Sequence, residues 1–168
     1  MNSENKKFKG NDKLSNVDLI CPDCKTVRLI TRDNKLYCRS ESCIHYLQQY
    51  CFVDNKPVLI DFENSLLSKS SFTFNAGASV VVRTESEIKK SLRNVLNGQS
   101  PITKKNINEL INLISTFKSA KILVNGGAEI GSGLDILYKK FSDQIIAFDI
   151  YDSKNVDLIA DAHSIPFR

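Results

Sequence analysis

Four cysteines fall into two pairs, Cys21-Pro22-Asp23-Cys24 and Cys38-x4-Cys43, with thirteen residues between them. Zinc takes four soft ligands in a tetrahedron, and two such pairs on facing turns can supply them. Closing four thiolates around one ion also gives folding energy to a module too small to bury much apolar surface. Cys21, Cys24, Cys38 and Cys43 are therefore the candidate ligands of a zinc ion. With all four positions filled by protein, that ion is structural. Two alternatives stay open: a set of free buried cysteines, and His45 in place of Cys43. Cys51 is left over and reads as a small core residue.

A second constellation begins at Ile122. The run ILVNGGAEIGSG places glycines directly after a strand-like stretch. Lacking side chains, they let the backbone turn sharply and approach a ligand closely. Asp149 ends the next apolar run, where a carboxylate can accept hydrogen bonds from both ribose hydroxyls of an adenosine cofactor. Asp161-Ala162 follows a third apolar run, at a sheet edge that can frame an adenine ring. A glycine turn with an acid serves nicotinamide, flavin and adenosylmethionine sites alike. His163 has the chemistry of a base, but a residue at a strand exit is more often structural.

The elements that must position these residues follow from the pattern. Residues 1–16 are polar, rich in Asn, Lys and Ser, and read as a disordered tail. A cysteine-bearing module of short strands occupies 17–62. In it Arg28–Thr31 and Lys35–Cys38 flank a hairpin turn at Asp33-Asn34, and Val58–Ile60 forms a closing apolar strand. Residues 63–119 hold a connector, extended over Ser79–Arg83, and two amphipathic helices. Thr84 and Glu87 cap the first, whose apolar face is Ile88, Leu92, Val95 and Leu96; Asn97-Gly98 ends it. Pro101 and Thr103 open the second, with Ile107, Leu110, Ile111, Ile114 and Phe117 at helical spacing. Over 120–168 come a strand at Lys121–Asn125, a helix at Leu134–Phe141, and strands at Gln144–Asp149 and Val156–Ala160. The fold class is α/β: a small N-terminal zinc ribbon, then the N-terminal half of a Rossmann-like doubly wound sheet.

Bulk composition narrows the partners. The formal charge of +4 falls to about +2 once four thiolates hold one zinc ion. Lysines are scattered, so nucleic acid and anionic membrane are not indicated. No secretory signal and no membrane-length apolar run is present, which points to the cytoplasm.

Two stretches resemble known families. CPDC, then YCRSESC, then an aromatic stretch ending NKPVLID resembles the zinc-ribbon module found ahead of some bacterial methyltransferases. That module is similar to the small zinc activator protein that partners tRNA, rRNA and protein methyltransferases. Its members end in Asp-Gly-Ile-Pro-Val-Leu-Ile; here Asp54-Asn55-Lys56-Pro57-Val58-Leu59-Ile60 keeps the frame without the glycine. Downstream, IIAFDIYDSKNVDLIADAHSIPFR resembles class I S-adenosylmethionine-dependent methyltransferases of the small-molecule type. The resemblance implies that Gly126 and Gly127 face the methionine and ribose portion of S-adenosylmethionine. It likewise implies that Asp149 holds the ribose, Ile150 packs on the adenine, and Asp161 and Ala162 contact the adenine's polar edge. Val124 stands where many members carry an acid, and Ala128 replaces their third glycine.

The resemblance implies a larger sheet, of which this chain spans three strands in the order 3-2-1. Strand one would then be an open apolar edge, suited to self-association or to a missing C-terminal half, and the chain alone would have little transferase activity. No catalytic residue and no class of methyl acceptor is implied. Gly127-x3-Gly131-x-Gly133 also matches the spacing of short-chain dehydrogenases, so an NAD(P)-dependent fragment is the first alternative. The ribbon upstream argues against it, because those enzymes begin near their glycine strand. A zinc-ribbon interaction module without cofactor is the second.

Overall fold

A computed structural model describes residues 13–69, 101–131 and 133–168. The strand expected at Ser79–Arg83, the helix expected over Thr84–Leu96 and most of the N-terminal tail lie outside them. The protein is mixed α/β. Strands β1 (Leu29–Arg32) and β2 (Lys35–Cys38) form an antiparallel hairpin. Strands β3 (Phe52–Val53), β4 (Lys56–Leu59), β5 (Ile122–Asn125), β6 (Ile145–Asp149) and β7 (Leu158–Ala160) form a five-stranded, mostly parallel sheet. Helix α1 spans Pro101–Ser115 and α2 spans Asp135–Lys140.

Both hairpins turn on an Asp-Asn pair in the left-handed region: Asp33 and Asn34 at φ 49° and 62°, Asp54 and Asn55 at φ 44° and 63°. Two consecutive positive φ angles define the tight turn whose twist matches paired strands. Asn tolerates this backbone better than most side chains. Asn55 thus supplies the left-handed residue this turn needs without a glycine.

The sheet runs in the order β3-β4-β7-β6-β5, with β4, β7, β6 and β5 parallel. The apolar strand that closes the cysteine module is therefore continuous with the strands that follow the glycine turn. Val58 pairs with Ile159 and Leu59 with Ala160. A second tie joins Leu19 to Phe167, where the Ile20 amide donates to the Pro166 carbonyl at 3.0 Å.

Alternation along the strands sorts the core onto two faces. One face presents Leu59, Ile146, Phe148, Leu158 and Ala160, which pack with Leu14, Leu19, Cys21, Leu36, Cys38 and Tyr50 of the cysteine module. The other presents Ile145 and Ala147 to Ile107, Ile111 and Ile114 of α1 and to Leu137 and Phe141. Phe62 and Leu67 cover Val58, Ile60 and Ile159 on that same side. The result is three layers: cysteine module, sheet, helices.

Three details differ from the sequence pattern. Leu14, placed in the polar tail, is buried in a short 3-10 turn, Leu14–Asn16. Leu110 and Phe117 of the α1 stripe are exposed at 39% and 57%. Helix α1 ends at Ser115, before Phe117, and a helix packed on one flat sheet buries a narrower stripe than the sequence periodicity suggests. Strand β7 starts at Leu158; just before it the Asp157 carboxylate accepts from the Ala147 amide at 2.9 Å, and the Asp157 amide donates to the Ala147 carbonyl at 2.7 Å. Among the described residues no helix is long and apolar enough to cross a membrane.

Candidate functional site

The Sγ atoms of Cys21, Cys24, Cys38 and Cys43 all lie within 4.8 Å of one another. Cys21 and Cys24 sit on a tight knuckle. Lys25, at φ 61°, turns the chain so that its amide reaches the Cys21 carbonyl at 2.7 Å, while the Cys24 amide donates to Cys21 Sγ at 3.3 Å. Cys38 ends β2 and accepts from the Ser40 amide at 3.3 Å. Cys43 precedes a 3-10 turn, Ile44–Tyr46.

The sulfurs of Cys21 and Cys43 are 3.8 Å apart, as are those of Cys24 and Cys38. A tetrahedron with zinc–sulfur bonds of about 2.3 Å has edges of about 3.8 Å. A disulfide would need sulfurs about 2 Å apart, and all five cysteines are free. The cluster therefore could hold a metal ion, and its dimensions fit zinc. His45 stands outside the four-sulfur group. Its ring stacks on Tyr50 at 4.0 Å, with Nδ1 3.2 Å from the Gln48 carbonyl and Nε2 3.6 Å from Asp23.

Electrostatics around the sulfurs suit a metal more than bare thiolates. Burial pushes the Cys21 thiol up to about 11 against hydrogen bonds that favour its thiolate. Burial, then the neighbouring thiols, raise Cys24 further. Without a metal, Cys21 and Cys24 thus hold their protons at neutral pH, and a divalent ion must displace them. The Tyr50 hydroxyl lies 3.0 Å from Cys21 Sγ and donates to Asp23 at 2.9 Å. No sequence signal marks Tyr50, because its partner is 29 residues away.

The second group lies at the carboxyl ends of the parallel strands, where open α/β sheets bind ligands. Asn125 pairs with Phe148, so Gly126 and Asp149 leave adjacent strands at the same level. Gly126 has φ 75°, which a side chain would strain. A Cβ on Gly127 would stand 2.7 Å from Ala147 Cβ, so only glycine lets the turn lie against β6.

Asp149 accepts from the Ala128 amide at 3.0 Å through one oxygen and from the Tyr151 amide at 3.1 Å through the other. Asn155 holds the Ala128 carbonyl from the other side at 3.0 Å. Ile150 is half-buried beside Asp149, and Ala162 is exposed. Asp161 is buried and engaged: Ser65 donates to one oxygen at 2.5 Å, and the His163 amide meets the other at 2.9 Å. His163 Nδ1 lies 2.8 Å from that same oxygen, which makes the histidine a partner of Asp161. Gly126, Gly127 and Asp149 are thus brought together, while Asp161 is occupied one strand over. Asp61, two residues past β4, is also buried and faces Lys25 at 3.7 Å. Ser65, Asn155 and the Asp61–Lys25 pair carry no sequence motif and emerge only from the fold.

Fold and site together define an α/β protein with a five-stranded, mostly parallel sheet and a four-cysteine cluster able to hold a metal ion. No family model, curated protein or solved structure matches the chain.

Proposed function

We propose that this chain carries the cofactor-binding portion of a cytoplasmic class I S-adenosylmethionine-dependent methyltransferase, braced by a structural zinc ion and built on a Rossmann-like sheet. The observation that carries the cofactor reading is the pairing of the Gly126-Gly127 turn with Asp149 at the carboxyl ends of adjacent parallel strands. The two backbone amides on Asp149 fix its carboxylate and leave further lone pairs for ribose hydroxyls. Zinc would be held by Cys21, Cys24, Cys38 and Cys43.

S-adenosylmethionine would supply a methyl group already activated on a sulfonium. The work left to these residues is to bind and align it. Gly126 and Gly127 allow close backbone approach, Asp149 orients the ribose, and Ile150 offers an apolar surface to the adenine. Ala162, after β7, borders the same edge, and Asp161 holds that loop in place through Ser65 and His163.

Calorimetric titration of the zinc-loaded protein with S-adenosylhomocysteine, and with NAD in parallel, tests this. Binding of S-adenosylhomocysteine alone is expected, weakened by Asp149→Asn with the circular dichroism spectrum unchanged. Binding of NAD alone would move the assignment to a dehydrogenase. Binding of neither would sink the cofactor reading and favour an interaction module.

A further inference from the structure

The four cysteines are not equivalent. Cys21 and Cys38 are fully buried at 0% exposure, whereas Cys24 and Cys43 are partly open to solvent. The hydrogen-bond contacts divide the same way. The Cys24 amide and the Tyr50 hydroxyl reach Cys21 Sγ at 3.3 and 3.0 Å, and the Ser40 amide reaches Cys38 Sγ at 3.3 Å. Among the described residues, the contacts of Cys24 Sγ and Cys43 Sγ are with other cysteine sulfurs. Hydrogen bonds draw charge from a thiolate and lower its nucleophilicity, while exposure lets an electrophile reach it.

We propose that the metal-loaded cluster is a modification site for soft electrophiles with a fixed order of attack, in which Cys24 and Cys43 react first and Tyr50 shields Cys21. The proposal rests on the metal reading above and is independent of the cofactor. A metal-bound thiolate gives a sulfur lone pair to the electrophilic carbon as the leaving group departs with its bonding pair, iodide in the case of iodoacetamide. No proton moves, because the thiolate carries none. The resulting thioether is neutral and a poorer ligand, so the metal leaves. Tyr50 sets the rank of Cys21 through one proton shared between two acceptors, Cys21 Sγ and the Asp23 carboxylate. Removing the hydroxyl exposes Cys21 chemically. Removing Asp23 leaves the hydroxyl to Cys21 alone.

The test uses the full chain loaded with zinc, its zinc uptake measured first. Limiting iodoacetamide is added, labelled cysteines are mapped by mass spectrometry, and released zinc is followed with a chromogenic chelator. Label on Cys24 and Cys43 should accompany the first zinc released, with Cys21 and Cys38 labelled after it. Cys51 should label without releasing zinc. Tyr50→Phe should advance Cys21 labelling several-fold, and Asp23→Ala should delay it. Early label on Cys21 or Cys38, or an order that neither variant changes, would overturn the proposal. A chain that takes up no zinc would instead overturn the metal reading on which it rests.

Discussion

Asp161 shows what a single residue contributes. Burial opposes its charge, yet the Ser65 hydroxyl and the amide and ring of His163 hold its carboxyl below the ordinary 3.8. A carboxyl lowered on folding stabilises fully above its unfolded value, and that contribution is lost as pH falls through the lower folded value. Asp161→Asn should cost about 1–3 kcal/mol in urea unfolding at neutral pH. The gap to the parent should close as pH drops below 3.8. A gap that stays constant down to about pH 3 would mean the charge contributes nothing. At this scale the sequence reveals the residues that obey spacing rules. The cysteine pairs and the glycines before Asp149 were legible because local chain geometry dictates them. Tyr50, Ser65 and Asn155 were not, since each meets a partner far along the chain and its residue type is common on any surface.

Among the elements, the turn between β5 and α2 is the most tightly specified. At Gly127 the obstructing atoms are the Ala147 Cβ at 2.7 Å and its own backbone, neither of which can swing aside. Gly127→Ala should therefore lower stability by about 1–3 kcal/mol through overpacking. Gly131→Ala, which meets only a flexible Leu134 methyl at 3.4 Å, should cost far less. Paired urea denaturation curves read the difference, and equal losses would show that β5 and β6 part easily. Strands β5, β6 and β7 were legible as apolar runs broken by polar residues, with bounds that moved by a residue or two. The partner of β4 was not legible. Parallel neighbours leave no turn between them for the sequence to advertise, so Val58–Ile60 reads as the end of the ribbon until β7 is seen beside it.

For the whole molecule, the division of the chain into a ribbon and a later half-sheet hides a shared core. Leu36, Cys38 and Tyr50 pack in one cluster with Ile146, Phe148 and Leu158. Metal bound by the cysteines should therefore stabilise the sheet, although no ligand comes from it. Stripping the metal with a chelator should speed amide hydrogen exchange at Ile146 and Phe148, on the face the ribbon covers. Unchanged protection there would show that the ribbon folds and melts as a separate unit. That shared core was beyond the sequence because amphipathic pattern tells which side of a strand is apolar and never which element covers it.

The pairing of Val58 with Ile159 also bears on how the protein is made. The two strands leave the ribosome about a hundred residues apart, a long loop to close before any contact rewards it. Until β7 emerges, β4 has an unpaired edge and the inner surface of the ribbon has no sheet to lie against. The nascent ribbon can gather its four thiols long before that, because their ligand loop is short. Metal captured early would hold the first layer in shape while the rest is synthesised, so starvation for the ion would be felt first as misfolding of new chains and only later as loss from finished ones.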